Sequence, residues 1–274
     1  MNALRSYATR HPVMFVLSLT ITWLVVLLVF TGIASSALHK PFSDAVTGTI
    51  GRLTITACIL LLVWRLGWLE ASGVARLGRW PVWLLALAGM TYFTIASLYS
   101  YFGKITFDFS SLIQLPDART IVMTQFAVSL CEEILFRGVV LYSLARVWGN
   151  TKRGMIGSVV LTSLIFAVLH MTNVFAHGIS LSSALLLTLE TCIIAIWWGA
   201  LAVLGKSIWP AVMLHLVGNA VVPVQGLTIP MVEPDILAII RILWFSIPLG
   251  VLGIMLLMKA APHPIVSEPQ AQHL

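Results

Sequence analysis

Apolar residues run through this chain in blocks of about twenty, cut by short stretches that carry most of the charge. The blocks lie at about 13–33, 46–64, 80–101, 120–147, 155–174, 181–204, 208–222 and 236–258. A helix that crosses a bilayer needs about 20 such residues. The pattern therefore predicts an all-α, polytopic membrane protein with about eight transmembrane helices. A basic head with Arg5 and Arg10 precedes the first block. Ala34-Ser35-Ser36-Ala37 would suit a signal cleavage site, but the apolar stretch before it is longer than a signal core of about 7–15 residues. An uncleaved anchor is the reading. The tail beyond Lys259, with Pro262, Pro264 and Pro269, is expected to be disordered over about 260–274.

Composition sharpens this picture. Of 274 residues, 59% are hydrophobic and only 9% charged, against about 25% charged in soluble domains. The whole chain, 1–274, reads as one membrane domain. Its net charge of +6 comes from Lys and Arg gathered in alternate loops: the head, Arg65–Arg79, Arg146–Arg153, Lys206 and Lys259. The positive-inside rule explains that pattern without any nucleic-acid partner and puts both termini in the cytoplasm, in a bacterial-type plasma membrane. Cys58, Cys131 and Cys192 all fall inside apolar blocks. An odd, lipid-buried set is neither a disulfide framework nor a cysteine zinc site.

The chemistry is concentrated where polar residues interrupt the blocks. Glu132, Glu133 and Arg137 sit together in the fourth block. Each costs at least ~2.5–3.5 kcal/mol at the bilayer centre, so such groups mark function or a partner. Glu133 and Arg137 share a helix face and can pair. Glu132 points about 100° away and has no obvious partner. His170 closes the fifth block, after Phe166. His215 and Asn219 lie one helical turn apart in the seventh and face one way. Glu190, in the sixth block, reads as a lock against another helix, a support for the site or a proton-relay group, the structural role being favoured. Arg241 is expected to snorkel to the interface, and Trp197-Trp198 to serve packing.

The order Glu-Glu-x-x-x-Arg, Phe-x-x-x-His, His-x-x-x-Asn, on three separate spans, resembles the CAAX protease and bacteriocin-processing (Abi) family of intramembrane proteases. The likeness covers about 119–222. It implies an endopeptidase acting within the bilayer on a membrane-associated protein or small peptide precursor. It implies that Glu132 and His170 activate water, that His215 and Asn219 bind the oxyanion, and that Glu133 with Arg137 orients the site. Without a His-Glu-x-x-His pattern, a metal-independent, glutamate-type mechanism is favoured; zinc, if present, would sit on Glu132, His170 and His215. A proton-coupled transporter and a non-catalytic membrane partner or immunity protein are the alternatives.

Overall fold

The computed structural model describes residues 2–42, 44–100, 118–220 and 236–260. Residues 101–117 and 221–235 and the tail beyond 260 lie outside the described residues.

Every described element is helical. Helix α1 is Asn2–Arg10, and Pro12 at the first turn opens α2, Pro12–Leu38. Pro suits that position because the N–H it lacks has no partner there anyway. Asp44 starts α3, Ala45–Arg65, by accepting from the amides of Val46 and Thr47 at 3.0 and 3.2 Å. Those bonds, that of Thr47 foremost, hold its carboxyl below the usual carboxylate range. Helix α4 is Trp80–Ser100. Helix α5, Ala118–Glu133, runs through a π-helical stretch, Ile134–Leu141, into α6, Tyr142–Trp148. Helix α7, Lys152–Val168, tightens into a 3₁₀ turn, Leu169–Thr172, before α8, Asn173–His177. Helices α9, Leu181–Gly205, and α10, Trp209–Ala220, flank the Lys206 turn. Helix α11, Ile236–Arg241, passes through a second π stretch, Ile242–Ser246, into α12, Ile247–Lys259.

The described helices lie over the expected apolar blocks. Five of these, Pro12–Leu38, Ala45–Arg65, Lys152–Phe175, Leu181–Gly205 and Ile239–Lys259, are long and apolar enough to cross a membrane by themselves. The protein is an integral membrane protein, and its outward faces show it: α2 leaves Ile21, Val25, Leu28 and Val29 exposed, as a lipid-facing helix does. The core gathers where α2, α3 and the π stretch meet, around Val16, Trp23, Ile59, Leu135 and Phe136.

Packing ties the basic segments into one end of the bundle. Arg5 Nη2 donates to the Leu66 carbonyl at 2.5 Å. Trp68 packs edge-on to Tyr142 and lies under Arg146. Lys152 Nζ donates to the carbonyl of Met258 at 2.8 Å. Ser207 Oγ donates to the Arg76 carbonyl at 2.5 Å, and Trp209 Nε1 to that of Val74 at 3.0 Å. Gly73, at φ +80°, lets the 66–79 loop close on Ser207, whose Cα would stand 2.8 Å from any added Cβ. Alternate loops sharing an end is what an up-and-down bundle with clustered positive charge requires.

One expectation is corrected. Arg241 does not snorkel: Nε and Nη2 donate to Glu190 Oε1 and Oε2 at 2.8 and 2.6 Å, and Ser246 Oγ adds a bond to Oε1 at 3.3 Å. A carboxylate and a guanidinium left apart in the apolar layer would each carry a desolvation cost, and bidentate pairing offsets both. Glu190 is therefore a lock between α9 and the second π stretch.

Candidate active site

Glu132 and Glu133 end α5 where it gives way to the π stretch, eight consecutive residues all buried. A π turn widens the helix by one residue, and such turns recur at functional sites. Cys131, fully buried, faces α3, where it reaches Thr56. Successive residues turn by about 100°, so Glu133 is directed to the far side and Glu132 lies between them.

Glu133 is fully buried and doubly engaged through one oxygen. Its Oε1 accepts from Arg137 Nη1 at 2.8 Å and meets His215 Nδ1 at 2.9 Å. Arg137 also reaches the Ala195 carbonyl at 3.4 Å. Its guanidinium stands over the rings of Phe166, at 4.8 Å, and Trp198, at 5.4 Å. Aromatic faces accept a desolvated cation, so Arg137 is held from three helices at once.

His215 comes from α10 and is almost wholly buried. Trp198 stacks on its ring at 4.8 Å and 29°, and Phe166 meets it edge-on. With Nδ1 engaged by Glu133, Nε2 is turned toward Glu132, 3.8 Å from Oε2. That distance is too long for a direct bond and suits a shared water or a small closure. Glu132 keeps 19% of its side chain exposed, whereas Glu133 keeps none.

His170 sits in the 3₁₀ turn, half-buried, with Nδ1 3.3 Å from the carbonyl of Phe166. Phe166 packs edge-on to both His170 and His215, and Glu132 lies within electrostatic reach of His170. Asn219 is one turn beyond His215 on the same face of α10 and half-buried. Among the described residues no hydrogen bond joins it to the other candidates. The structure thus brings Glu132, Glu133, Arg137 and His215 into contact and sets His170 against the same aromatic wall.

Trp198 was expected to serve packing alone and is instead the plate on which His215 rests. A pair of adjacent tryptophans in an apolar block gives no sign of which one turns inward to a histidine. Among the described residues, no group of three or more His, Cys, Asp or Glu side chains is disposed to hold a metal ion.

Comparison with protein families gives the site its kin. Residues 114–221 match the family model described as type II CAAX prenyl endopeptidase Rce1-like. Over those residues the chain is similar to that family. The matched segment covers under half of the 274 residues but takes in all six site residues. No curated protein and no solved structure matches the chain.

Proposed function

We propose that this protein is an intramembrane endopeptidase that hydrolyses a peptide bond in a membrane-associated protein or small peptide precursor. The observation that carries the reading is the division of labour between adjacent carboxylates. Glu133 is committed to Arg137 and His215, while Glu132 remains partly exposed with a histidine nitrogen 3.8 Å away.

In this mechanism Glu132 accepts a proton from water, assisted by His170, as the water oxygen attacks the scissile carbonyl carbon. The developing oxyanion takes hydrogen bonds from His215 Nε2 and Asn219. Donation from both ring nitrogens makes His215 an imidazolium, and Glu133 is placed to balance that charge. With Glu132, Glu133, Arg137 and His215 ionised, the cluster is neutral overall. The C–N bond then breaks, and the proton held by Glu132 passes to the leaving amine. In this reading the chemistry is of the glutamate type, and purified protein is expected to keep its activity after exhaustive chelation.

The site belongs to a bundle whose basic end we place in the cytoplasm together with both termini. Cysteine labelling at Lys152 and Gly178 checks this: the two positions should respond from opposite sides of the membrane, and labelling from one side refutes the arrangement. The test of function is comparative peptidomics of small secreted and membrane peptides in cells carrying the wild type or Glu132→Ala. Uncleaved precursors should accumulate in the variant, and identical peptide sets would argue against the reading.

A further inference from the structure

Two guanidinium groups at the basic end flank one buried tryptophan, and the proposed chemistry uses neither. Arg5, on α1, is half-buried. Among the described residues its one hydrogen bond runs from Nη2 to the Leu66 carbonyl. Gly67 permits that approach: it lies at φ +65°, and an added Cβ would stand 2.8 Å from Nη2. Trp68 follows, almost wholly buried against Phe15 and Tyr142. Arg146, in the last turn of α6, lies over its ring, 5.7 Å from the centroid. Helices α1 and α6 are themselves in contact. Three consecutive residues, Leu66 to Trp68, thus seat one guanidinium from each.

An arginine carries five N–H donors in a fixed fork. Arg5 commits Nη2 to Leu66, and its buried Nε meets no acceptor among the described residues. Nor does any described carboxylate pair with Arg5. Glu70, two residues past Trp68, is held by Arg76 at 3.3 Å and leaves 78% of its side chain exposed. Arg10, Arg65 and Arg79 are exposed at the same end and add charge of the same sign. The guanidinium groups of Arg137 and Arg241, deeper in the bundle, each have a carboxylate of the chain itself. Arg5 leaves that place open to an anion from outside.

We propose that Arg5 and Arg146 hold the phosphate of one anionic phospholipid. A phosphodiester meets a guanidinium fork through two oxygens at once. A choline headgroup would return a cation to the site; a glycerol headgroup brings none, so the lipid that fits is anionic. Helix α2 leads away from α1 with Met14, Leu17 and Ile21 turned outward, an apolar wall for acyl chains. Headgroups of this kind bind in basic pockets between spans on the cytoplasmic side, and the charge pattern puts this end of the bundle there. Trp68 makes the place a site rather than a loose patch. Phe15 and Tyr142 fix its ring, and the ring fixes the position of Arg146.

The proposal is independent of the peptidase reading, and its test needs no turnover. Purified protein in detergent is titrated with dioctanoyl-phosphatidylglycerol or dioctanoyl-phosphatidylcholine, and bound lipid is counted by native mass spectrometry. The wild type should take up one phosphatidylglycerol about 10- to 100-fold more tightly than phosphatidylcholine, the range of a charge-assisted pair. Arg5→Gln and Arg146→Gln should each lose most of that preference. Arg5→Lys, with the charge but not the fork, should keep part of it. Arg153→Gln removes an exposed charge of the same sign and should change nothing. Equal binding of the two lipids by the wild type overturns the proposal, as does a preference that survives in monodisperse Arg5→Gln or Arg146→Gln. A loss in Arg153→Gln as large as in Arg5→Gln overturns it as well, because the charge of the whole end would then attract the lipid without a site. Inorganic phosphate is the other source of the same chemistry. Should it displace the lipid with a Kd no higher than the lipid's own, the two arginines would belong to a free anion and the lipid proposal would fall.

Discussion

Among the described residues, two carboxylate–arginine pairs lie within the spans, and they are built differently. Glu133–Arg137 lies within one helix and Glu190–Arg241 joins two, and each borders a π stretch. Glu190 spends both oxygens on Arg241 and takes a further bond from Ser246. Glu133 spends one oxygen on both Arg137 and His215, and its Oε2 meets no donor among the described residues. Beside it, Glu132 faces His215 Nε2 at 3.8 Å and stays partly exposed. The saturated pair holds helices together. The unsaturated one orients a histidine and leaves a second carboxylate able to take a proton. Saturation of hydrogen-bonding capacity, rather than the presence of charge in a span, separates the lock from the site.

The largest effect should come from Glu132→Gln. Glutamine keeps the volume and hydrogen bonding of glutamate but takes no proton from water. A general base contributes ~10²–10⁴-fold, so processing should vanish in a cell assay while the protein inserts at wild-type level. Full processing by well-expressed Glu132→Gln would make the two regions alike in kind, both structural.

Glu133→Gln should fail in a second way as well. It leaves Arg137 and His215 without the carboxylate charge that both face. Removing one member of a buried pair costs ~3–5 kcal/mol. Membrane-inserted protein, measured by immunoblot, should fall along with activity. Normal levels of an inactive variant would shift Glu133 from support to chemistry. Asn219→Ala should be milder: loss of one oxyanion donor costs ~10²–10³-fold in rate, with protein level held. A rate within a few-fold of wild type would remove Asn219 from the oxyanion site.

How much of this was legible in the sequence differs from region to region. The rods were, because lipid leaves no alternative to a helix and apolar blocks have sharp polar ends. The candidates Glu132, Glu133, His170, His215 and Asn219 stand out there as polar breaks in apolar runs. The π stretch after Glu133 was not legible. All of Ile134–Leu141 is buried, so no polar face betrays the local period of the helix. Helix α1 escaped notice because nine residues with two arginines carry too little pattern. The partner of Arg241 is 51 residues away on another helix, a distance over which spacing says nothing. The 66–79 loop shows its glycines, but their need is set by Ser207, which only the fold brings close.

The smallest effect tests the other half of the comparison. Glu190→Gln strips Arg241 of its bidentate partner at a place where the guanidinium keeps 27% of its side chain exposed. Partial solvation lowers the cost below that of a fully buried pair, to about 1–2 kcal/mol. Tm in detergent should fall by a few degrees, while turnover per folded molecule stays at the wild-type value, since no atom of the pair touches Glu132 or His215. The double variant Glu190→Met with Arg241→Leu should regain much of the loss, because two apolar side chains of similar volume carry no desolvation penalty. A loss of turnover in Glu190→Gln, unrepaired in the double variant and with Tm unchanged, would show that the saturated pair also serves catalysis.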